Sequence, residues 1–230
     1  MTSTRRVAVL FTIAACAHAL LVPTPRFAAR APEAAAAAGS RRELLLGGAA
    51  AAALLAAAPP AARAAAGGTQ AFSDSEFNIK FEVPSDWSLL NDGREALSEG
   101  RRLVLYSSPQ TKETNCFLAY TPTRPDYSSL GSFGTLDYVA STIVSNGPGV
   151  EGELLASRVD PAGYVYDYTI AVEGQPKRHL KTVFSVVPSG AASMIIAFTA
   201  QCRQDDYKAE QAELDRILAS YSLGDKKGKK

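Results

Sequence analysis

The stretch 77–87, Phe-Asn-Ile-Lys-Phe-Glu-Val-Pro-Ser-Asp-Trp, decides the fold. Its first seven residues alternate apolar and polar side chains, which is the period of a strand with one buried face. Pro84 has no amide hydrogen to donate, so the strand is expected to end there. Trp87 can either close the end of the sheet as part of the core or serve as an exposed docking residue, and the core alternative is favoured.

Six further segments have the alternation and the β-branched and aromatic content of strands: 103–107, 116–121, 154–159, 164–172, 180–187 and 193–201. The sequence Glu-Gly-Gln-Pro at 173–176 and the sequence Pro-Ser-Gly at 188–190 separate the last three. Tight reversals need these residue types, so the last three strands are predicted to form a meander.

Two segments have the period of helices. Residues 135–145 carry one apolar stripe formed by Leu136, Val139, Ala140, Ile143 and Val144. Residues 206–221 carry a second stripe, with Asp205 as the candidate N-cap and Gly224 beyond the end. Antiparallel strands with helices in the middle and at the end predict an α+β domain, in which a central twisted antiparallel sheet is flanked by helices.

The first 66 residues differ from the rest of the 230-residue chain, because they hold seven of the 24 Lys and Arg residues but only two of the 23 acids. Residues 1–40 combine an arginine-bearing start, a short apolar run and a second acid-poor stretch with two arginines. This layout resembles a secretory signal followed by a plastid transit peptide, as in import into a complex plastid. A single transit peptide with an apolar start is the alternative.

Residues 41–66 have the layout of a twin-arginine export signal. Arg41 and Arg42 precede a moderately apolar run that ends at two prolines, and small residues around Ala64 and Ala66 offer a cleavage site. The apolar run 44–58 has 15 residues rich in Gly and Ala. A membrane span needs roughly 20 strongly apolar residues, so a cleaved signal is favoured over an anchor. In a plastid this signal would direct the chain into the thylakoid lumen.

The remaining chain divides into a linker at 67–71, one domain at 72–223 and a basic tail at 224–230. Beyond residue 66 there are 17 basic and 21 acidic residues, so this part carries a net charge of −4 although the whole chain carries +1. The sign is wrong for the electrostatic attraction that drives nucleic-acid binding. No nucleic-acid partner is therefore expected.

Several strings in this domain resemble the PsbP family. Residues 77–87 are similar to that family's opening strand and its Val-Pro-x-x-Trp motif, here Val83, Pro84 and Trp87. The string Tyr-Thr-Pro at 120–122 resembles the end of an inner strand, and Tyr-Val-Tyr-Asp-Tyr at 164–168 followed by Arg-His-Leu at 178–180 resembles a strand pair in its second half. The resemblance covers about 72–223.

The resemblance implies a peripheral protein on the lumenal face of the thylakoid membrane, bound to a membrane protein complex. The founding member of the family sits on photosystem II, in the oxygen-evolving complex, and helps to retain calcium and chloride. Relatives serve photosystem II repair, photosystem I assembly or the plastid NDH complex. An accessory or assembly role at photosystem II is the main expectation, and a calcium-binding or small-ligand-binding lumenal module is the alternative.

The domain lacks the motifs of common enzyme classes. No Gly-x-Ser-x-Gly, P-loop, dinucleotide fingerprint, His-Glu-x-x-His, EF-hand loop or Cys-x-x-Cys occurs. His179 is the one histidine after residue 66, and a catalytic triad would need it beside a nucleophile and a carboxylate. No catalytic residue and no tightly bound cofactor are therefore expected.

Metal binding and a disulfide are two further hypotheses. The resemblance implies that His179 could be a metal ligand or a docking residue, whereas a partly exposed strand histidine is the ordinary alternative. The acids Glu151, Glu153 and Asp160 could hold calcium weakly or form a solvated edge. Cys116 and Cys202 could be bridged, or they could be two buried free thiols.

The signal layout generates a first prediction. The protein purified from its native membranes should begin near residues 65–67, because the small residues there follow the apolar run and the two prolines. N-terminal sequencing measures this start directly. A mature protein that begins before Arg41 would contradict the prediction.

Overall fold

The computed structural model describes residues 68–189 and 192–224. Arg41, Arg42, Ala64 and Ala66 lie outside the described residues, as do the predicted signals at 1–66 and the tail beyond 224. The predictions about cleavage and targeting therefore remain predictions.

The described chain forms ten strands, three α-helices and two 3-10 turns. The strands are β1 (Thr69–Asp74), β2 (Ile79–Pro84), β3 (Ser88–Asp92), β4 (Arg102–Ser107), β5 (Asn115–Thr123), β6 (Val150–Asp160), β7 (Gly163–Val172), β8 (Arg178–Ser189), β9 (Ala192–Arg203) and β10 (Ser222–Leu223). The helices are α1 (Leu130–Phe133), α2 (Leu136–Ile143) and α3 (Tyr207–Ala219), and the 3-10 turns are Ser98–Gly100 and Gln204–Asp206.

Seven strands form one antiparallel sheet in the order β3-β4-β5-β9-β8-β7-β6, and β1, β2 and β10 form a second sheet. The α+β prediction with an antiparallel sheet flanked by helices is thus confirmed. The strand that begins the family motif, β2, belongs to the small sheet. Its alternation predicts one buried face and says nothing about which strand it pairs with.

The predicted linker at 67–71 is wrong for residues 69–71, because the chain forms β1 from Thr69 onward. Phe72 stacks on Phe81 of β2 with ring centroids 4.8 Å apart. The Gln70 side chain donates hydrogen bonds to the carbonyls of Pro84 (3.0 Å) and Trp87 (2.7 Å). Pairing with β2, the aromatic contact and these two hydrogen bonds hold the residues from Thr69 onward as an edge strand.

The large sheet separates two apolar clusters. On one face, β2, Trp87 and α3 pack against the middle strands, with Phe81, Phe198, Leu214 and Ile217 fully buried. On the other face, α1 and α2 pack against the tyrosines of β7 and against Phe184. Asp205 does not cap α3 as predicted, because the chain enters this helix through the 3-10 turn Gln204–Asp206 and Asp205 lies within that turn.

The packing of α3 generates a second prediction. Leu214→Ala should lower the free energy of unfolding by about 2–5 kcal/mol, because the side chain is fully buried and its loss leaves a cavity. Leu90→Ala is the matched control, since Leu90 is 59% exposed and should change stability by less than about 0.5 kcal/mol. Chemical denaturation of both variants measures the difference. Equal losses would show that α3 does not pack as described.

Candidate functional site

A cleft of about 360 Å³ lies between α3 and the outer strands of the large sheet. Its walls come from β6, β7 and β8 on one side and from the last turns of α3 on the other. Polar and charged side chains line a large part of it: Arg158, Asp160, Asp167, Lys181 and Asp215. The cleft is therefore open, polar and charged on both walls.

Strand register brings the charged groups together. In the β7–β8 hairpin Asp167 lies directly opposite Lys181, and Thr169 lies opposite His179. Side chains directly opposite each other in an antiparallel pair lie on the same face. His179 and Lys181, two residues apart on β8, thus both face α3.

His179 is the most enclosed member of this group, with 3% of its surface exposed. Its Nε2 atom lies 2.6 Å from Oδ1 of Asp167, and its Nδ1 atom lies 3.0 Å from Oε1 of Gln204. A carboxylate can only accept, so Nε2 donates to Asp167. The ring also stacks flat on Tyr207 with centroids 3.4 Å apart. The expectation of a partly exposed histidine is wrong, since Tyr207 covers the ring.

Lys181 joins the sheet to the helix. Its ammonium contacts Asp215 of α3 and lies 3.4 Å from Oδ2 of Asp167. Burial acts to lower the pKa of Lys181, but the hydrogen bond to Asp215 and the nearby carboxylates outweigh burial and raise the pKa. Burial acts to raise the pKa of Asp167, and the hydrogen bond from His179 with the Lys181 charge lowers it overall. Near neutral pH, Asp167 therefore stays negatively charged and Lys181 stays positively charged.

The network does not contain an activated nucleophile. Cys202 lies directly opposite His179, but both ring nitrogens of His179 are engaged elsewhere. Burial is the main cause that raises the pKa of the Cys202 thiol to about 12, so the thiolate form is absent near neutral pH. The arrangement can fix charges and present them to a ligand or a partner.

The geometry does not support the hypothesis that His179 is a metal ligand. Its nitrogens are both taken up by Asp167 and Gln204. Within residues 68–189 and 192–224, no three His, Cys, Asp or Glu side chains converge as a metal site would require. The register of the β7–β8 hairpin explains this result, because it gives His179 a carboxylate partner inside the fold.

The three acids of β6 also do not converge. Glu151 is exposed, Glu153 lies 3.4 Å from the Lys177 ammonium, and Asp160 accepts a hydrogen bond from the amide of Ala162. They are spread along one 11-residue strand with a bulge between them. The weak calcium site considered for them is not formed, and the solvated-edge interpretation fits.

Cys116 and Cys202 are both free and buried, so the hypothesis of a disulfide between them is wrong for this structure. Cys116 lies opposite Ala200, and Cys202 lies opposite His179. The two residues are thus diagonal rather than direct neighbours, and diagonal partners are about 7–8 Å apart, which is beyond the usual disulfide distance. Burial raises the pKa of the Cys116 thiol.

The family motif is structural. Val83 and Trp87 are buried in the core, with 1% and 4% of their surfaces exposed. The Pro84 carbonyl accepts from the Trp87 amide and from the Gln70 side chain. The core interpretation of Trp87 is confirmed, and its docking alternative is excluded by its burial.

Sequence reasoning missed Asp167, Lys181, Gln204, Tyr207 and Asp215. The sequence did contain a signal for Asp167 and Lys181. In the run 164–168 the tyrosines occupy one face, which leaves Asp167 on the other face of a buried strand. The turn at 173–176 then fixes the register that brings Lys181 opposite it. The contribution of α3 had no such signal, because helix packing depends on tertiary contacts.

The fold and the site together define an α+β protein with a charged cleft between α3 and the outer strands of its large sheet. The PsbP family model matches residues 67–223, so the chain belongs to the PsbP family. None of the helices in the part that the structure describes is long and apolar enough to cross a lipid bilayer.

Two relatives illustrate this similarity. PsbP domain-containing protein 3, chloroplastic, of Arabidopsis thaliana is 22% identical over 159 residues, which are 66% of this chain and 63% of that protein. The chain thus spans less than two thirds of that relative's length. The solution structure of cyanobacterial PsbP (CyanoP) from Synechocystis sp. PCC 6803 matches with a TM-score of 0.51 and 18% identity, over 68% of this chain and 92% of the other. The second likeness shows a shared fold.

The Asp167 network generates a third prediction. Asp167→Asn should lower the free energy of unfolding by about 1–3 kcal/mol at neutral pH, because His179 and Lys181 lose a charged acceptor. The folded-state pKa of Asp167 is lowered. Its contribution is therefore present above the unfolded pKa of about 3.9 and is lost as the pH falls further.

The measurement is the free energy of unfolding of both proteins between pH 7 and pH 3. The difference between wild type and variant should be constant above about pH 5 and should shrink below about pH 4. Asp126→Asn, at an exposed loop carboxylate, is the control and should leave the pH dependence unchanged. A difference that grew on acidification would contradict the network.

Proposed function

We propose that this protein is a non-catalytic accessory or assembly and repair factor of a photosynthetic membrane complex, photosystem II, in the thylakoid lumen of a plastid. The observation that carries the proposal is the family match over residues 67–223, which takes in nearly the whole described domain. The chloroplastic relative and the predicted twin-arginine signal with Arg41 and Arg42 support the compartment.

The charged cleft is the surface that we assign to the partner complex. Arg158 is exposed at its β6 wall, and Asp215 is 47% exposed at its α3 wall. Asp215 is held in position through Lys181, whose ammonium contacts it and lies 3.4 Å from Oδ2 of Asp167. Charged groups that are already ordered bind with a smaller loss of conformational entropy than flexible ones.

A binding role, rather than catalysis, agrees with the chemistry of the site. The thiol of Cys202 stays protonated, and the imidazole of His179 is fixed by two side-chain partners. Turnover would need a nucleophile within hydrogen-bond reach of a free base. No such pair is formed by the residues described around the cleft.

Direct retention of calcium by an N-terminal arm is not part of the proposal. The founding member of the family uses an arm ahead of its first strand, whereas residues Thr69–Asp74 of this chain are paired with β2. If the mature chain begins near residue 65, the segment left before β1 is only a few residues long. A segment of that length cannot reach far from the domain.

Fractionation of solubilised thylakoids on a native gel tests the assignment to photosystem II. The protein is expected to comigrate with photosystem II or with its assembly intermediates, and to shift to the free fraction in a strain that lacks photosystem II. Comigration with photosystem I or the NDH complex alone would overturn the choice of complex. A protein found wholly outside the plastid would overturn the proposal itself.

The position of β1 generates a further prediction. A deletion strain should assemble or repair photosystem II slowly, while its assembled centres need no more calcium than those of the wild type, because β1 is held in a sheet. Oxygen evolution by isolated membranes, titrated with calcium and with chloride, measures this. Full rescue of the mutant by added ions would contradict the expectation.

A further inference from the structure

Two arginines lie side by side on the face of the large sheet opposite the cleft. Arg178 begins β8, Arg203 ends β9, and the two are direct cross-strand partners. His179 faces α3, so its neighbour Arg178 faces the other way, on the side of Leu180 and α2. Cross-strand partners have Cβ atoms about 4.5–5.5 Å apart, so two like charges are brought close together.

The two guanidiniums share one nearby carboxylate, that of Glu113, so their charges are only partly compensated within the described residues. Arg178 is 9% exposed, Arg203 is half-buried, and the Nε atoms of both are buried with no hydrogen-bond partner. No ion pair within 4.0 Å links either arginine to a carboxylate in the described residues. Like charges placed directly opposite each other are destabilising, and an unpaired buried charge is costly.

The surroundings are polar and carry one negative charge. Glu113, half-buried in the loop before β5, lies close enough for the two arginines to help lower the pKa of its carboxyl, after the larger effect of hydrogen bonds from Thr111 and its own backbone. Gln201 donates to Asn115 across the neighbouring strand pair at 2.9 Å. With both arginines charged and Glu113 ionised, the cluster has a net charge of +1.

We propose that Arg178 and Arg203 form a binding site for a single carboxylate. A guanidinium presents N–H donors in a planar fork that matches the two oxygens of a carboxylate, and the buried Nε atoms of both arginines have no hydrogen-bond partner. A monoanion neutralises the net charge of +1, whereas Glu113 would repel a dianion such as sulfate. Arg203 is only half-buried, so solvent reaches part of this residue.

Thermal unfolding of the full chain in sodium acetate tests the proposal, against sodium chloride and sodium sulfate at equal ionic strength. Acetate should raise Tm of the wild type by about 2–4 °C more than it raises Tm of Arg203→Gln, since bound ligand stabilises the folded state. Arg94→Gln, at an exposed arginine, is the matched control and should respond like the wild type. Equal acetate responses in wild type and Arg203→Gln would overturn the site. Sulfate stabilises folded proteins in general, so the ligand class would be overturned by a larger difference between wild type and Arg203→Gln in sulfate than in acetate.

Two further variants keep the test decisive. Arg178→Gln should also lose the acetate response. If Arg178→Gln does not fold, the comparison of wild type with Arg203→Gln is the test. Glu113→Gln should respond more strongly than the wild type to acetate and to sulfate, because it raises the net charge of the cluster to +2. A response in Glu113→Gln with none in the wild type would show that Glu113 itself occupies the site, and would overturn the proposal.

A second probe separates the two sources of a carboxylate. A short peptide with one glutamate and blocked ends offers the same group on a protein chain. A greater Tm shift per mole with the peptide than with acetate assigns the site to an acidic side chain of a partner. A greater shift with acetate assigns it to a free small carboxylate, and no shift with either probe overturns the proposal.

Discussion

The pairing of β8 with β9 is the constraint on which the rest of this structure depends. Twelve residue pairs, from Arg178–Arg203 to Ser189–Ala192, fix one register along the centre of the large sheet. A shift of one residue would exchange the two faces of a strand. It would turn the polar side chains of His179 and Lys181 toward α2 and the apolar Leu180 toward the cleft, so burial of the two apolar clusters selects the observed register.

This register also explains why β8 carries charged and polar side chains on both of its faces. Arg178 and His179 are neighbours in sequence, yet His179 is paired with Asp167 below Tyr207 and Arg178 lies on the opposite face beside Arg203. The first pair is neutralised inside the fold and holds α3 through Lys181 and Asp215. The second pair is only partly neutralised. One face of the sheet thus carries the cleft, in which His179, Asp167 and Lys181 hold one another in position. The other face carries the pair of Arg178 and Arg203, whose positive charge is not fully neutralised.

Sequence patterns located most of the strands and helices, but they did not predict which strands pair or where the helices pack. Period-two alternation together with β-branched and aromatic content located the strands β2 and β4 to β9. Strands β1, β3 and β10 were missed, since each lies at the edge of its sheet and has no buried residue. Among the site residues, His179 was predicted because it is the one histidine after residue 66. Its partners on β7 and α3 were not found, because strand register and helix packing are tertiary properties that one sequence does not state.

The central claim is that the cleft between α3 and the sheet meets a photosynthetic complex. Photo-crosslinking tests it most directly, with a photoreactive residue placed at exposed Arg158 on the cleft wall, or at exposed Asp126 on the far side of the sheet as control. Each variant is expressed in the deletion strain, and intact thylakoids are illuminated. The account predicts a light-dependent adduct with a photosystem II subunit from position 158 and none from position 126. Adducts from position 126 alone, or no photosystem II adduct from position 158, would contradict it.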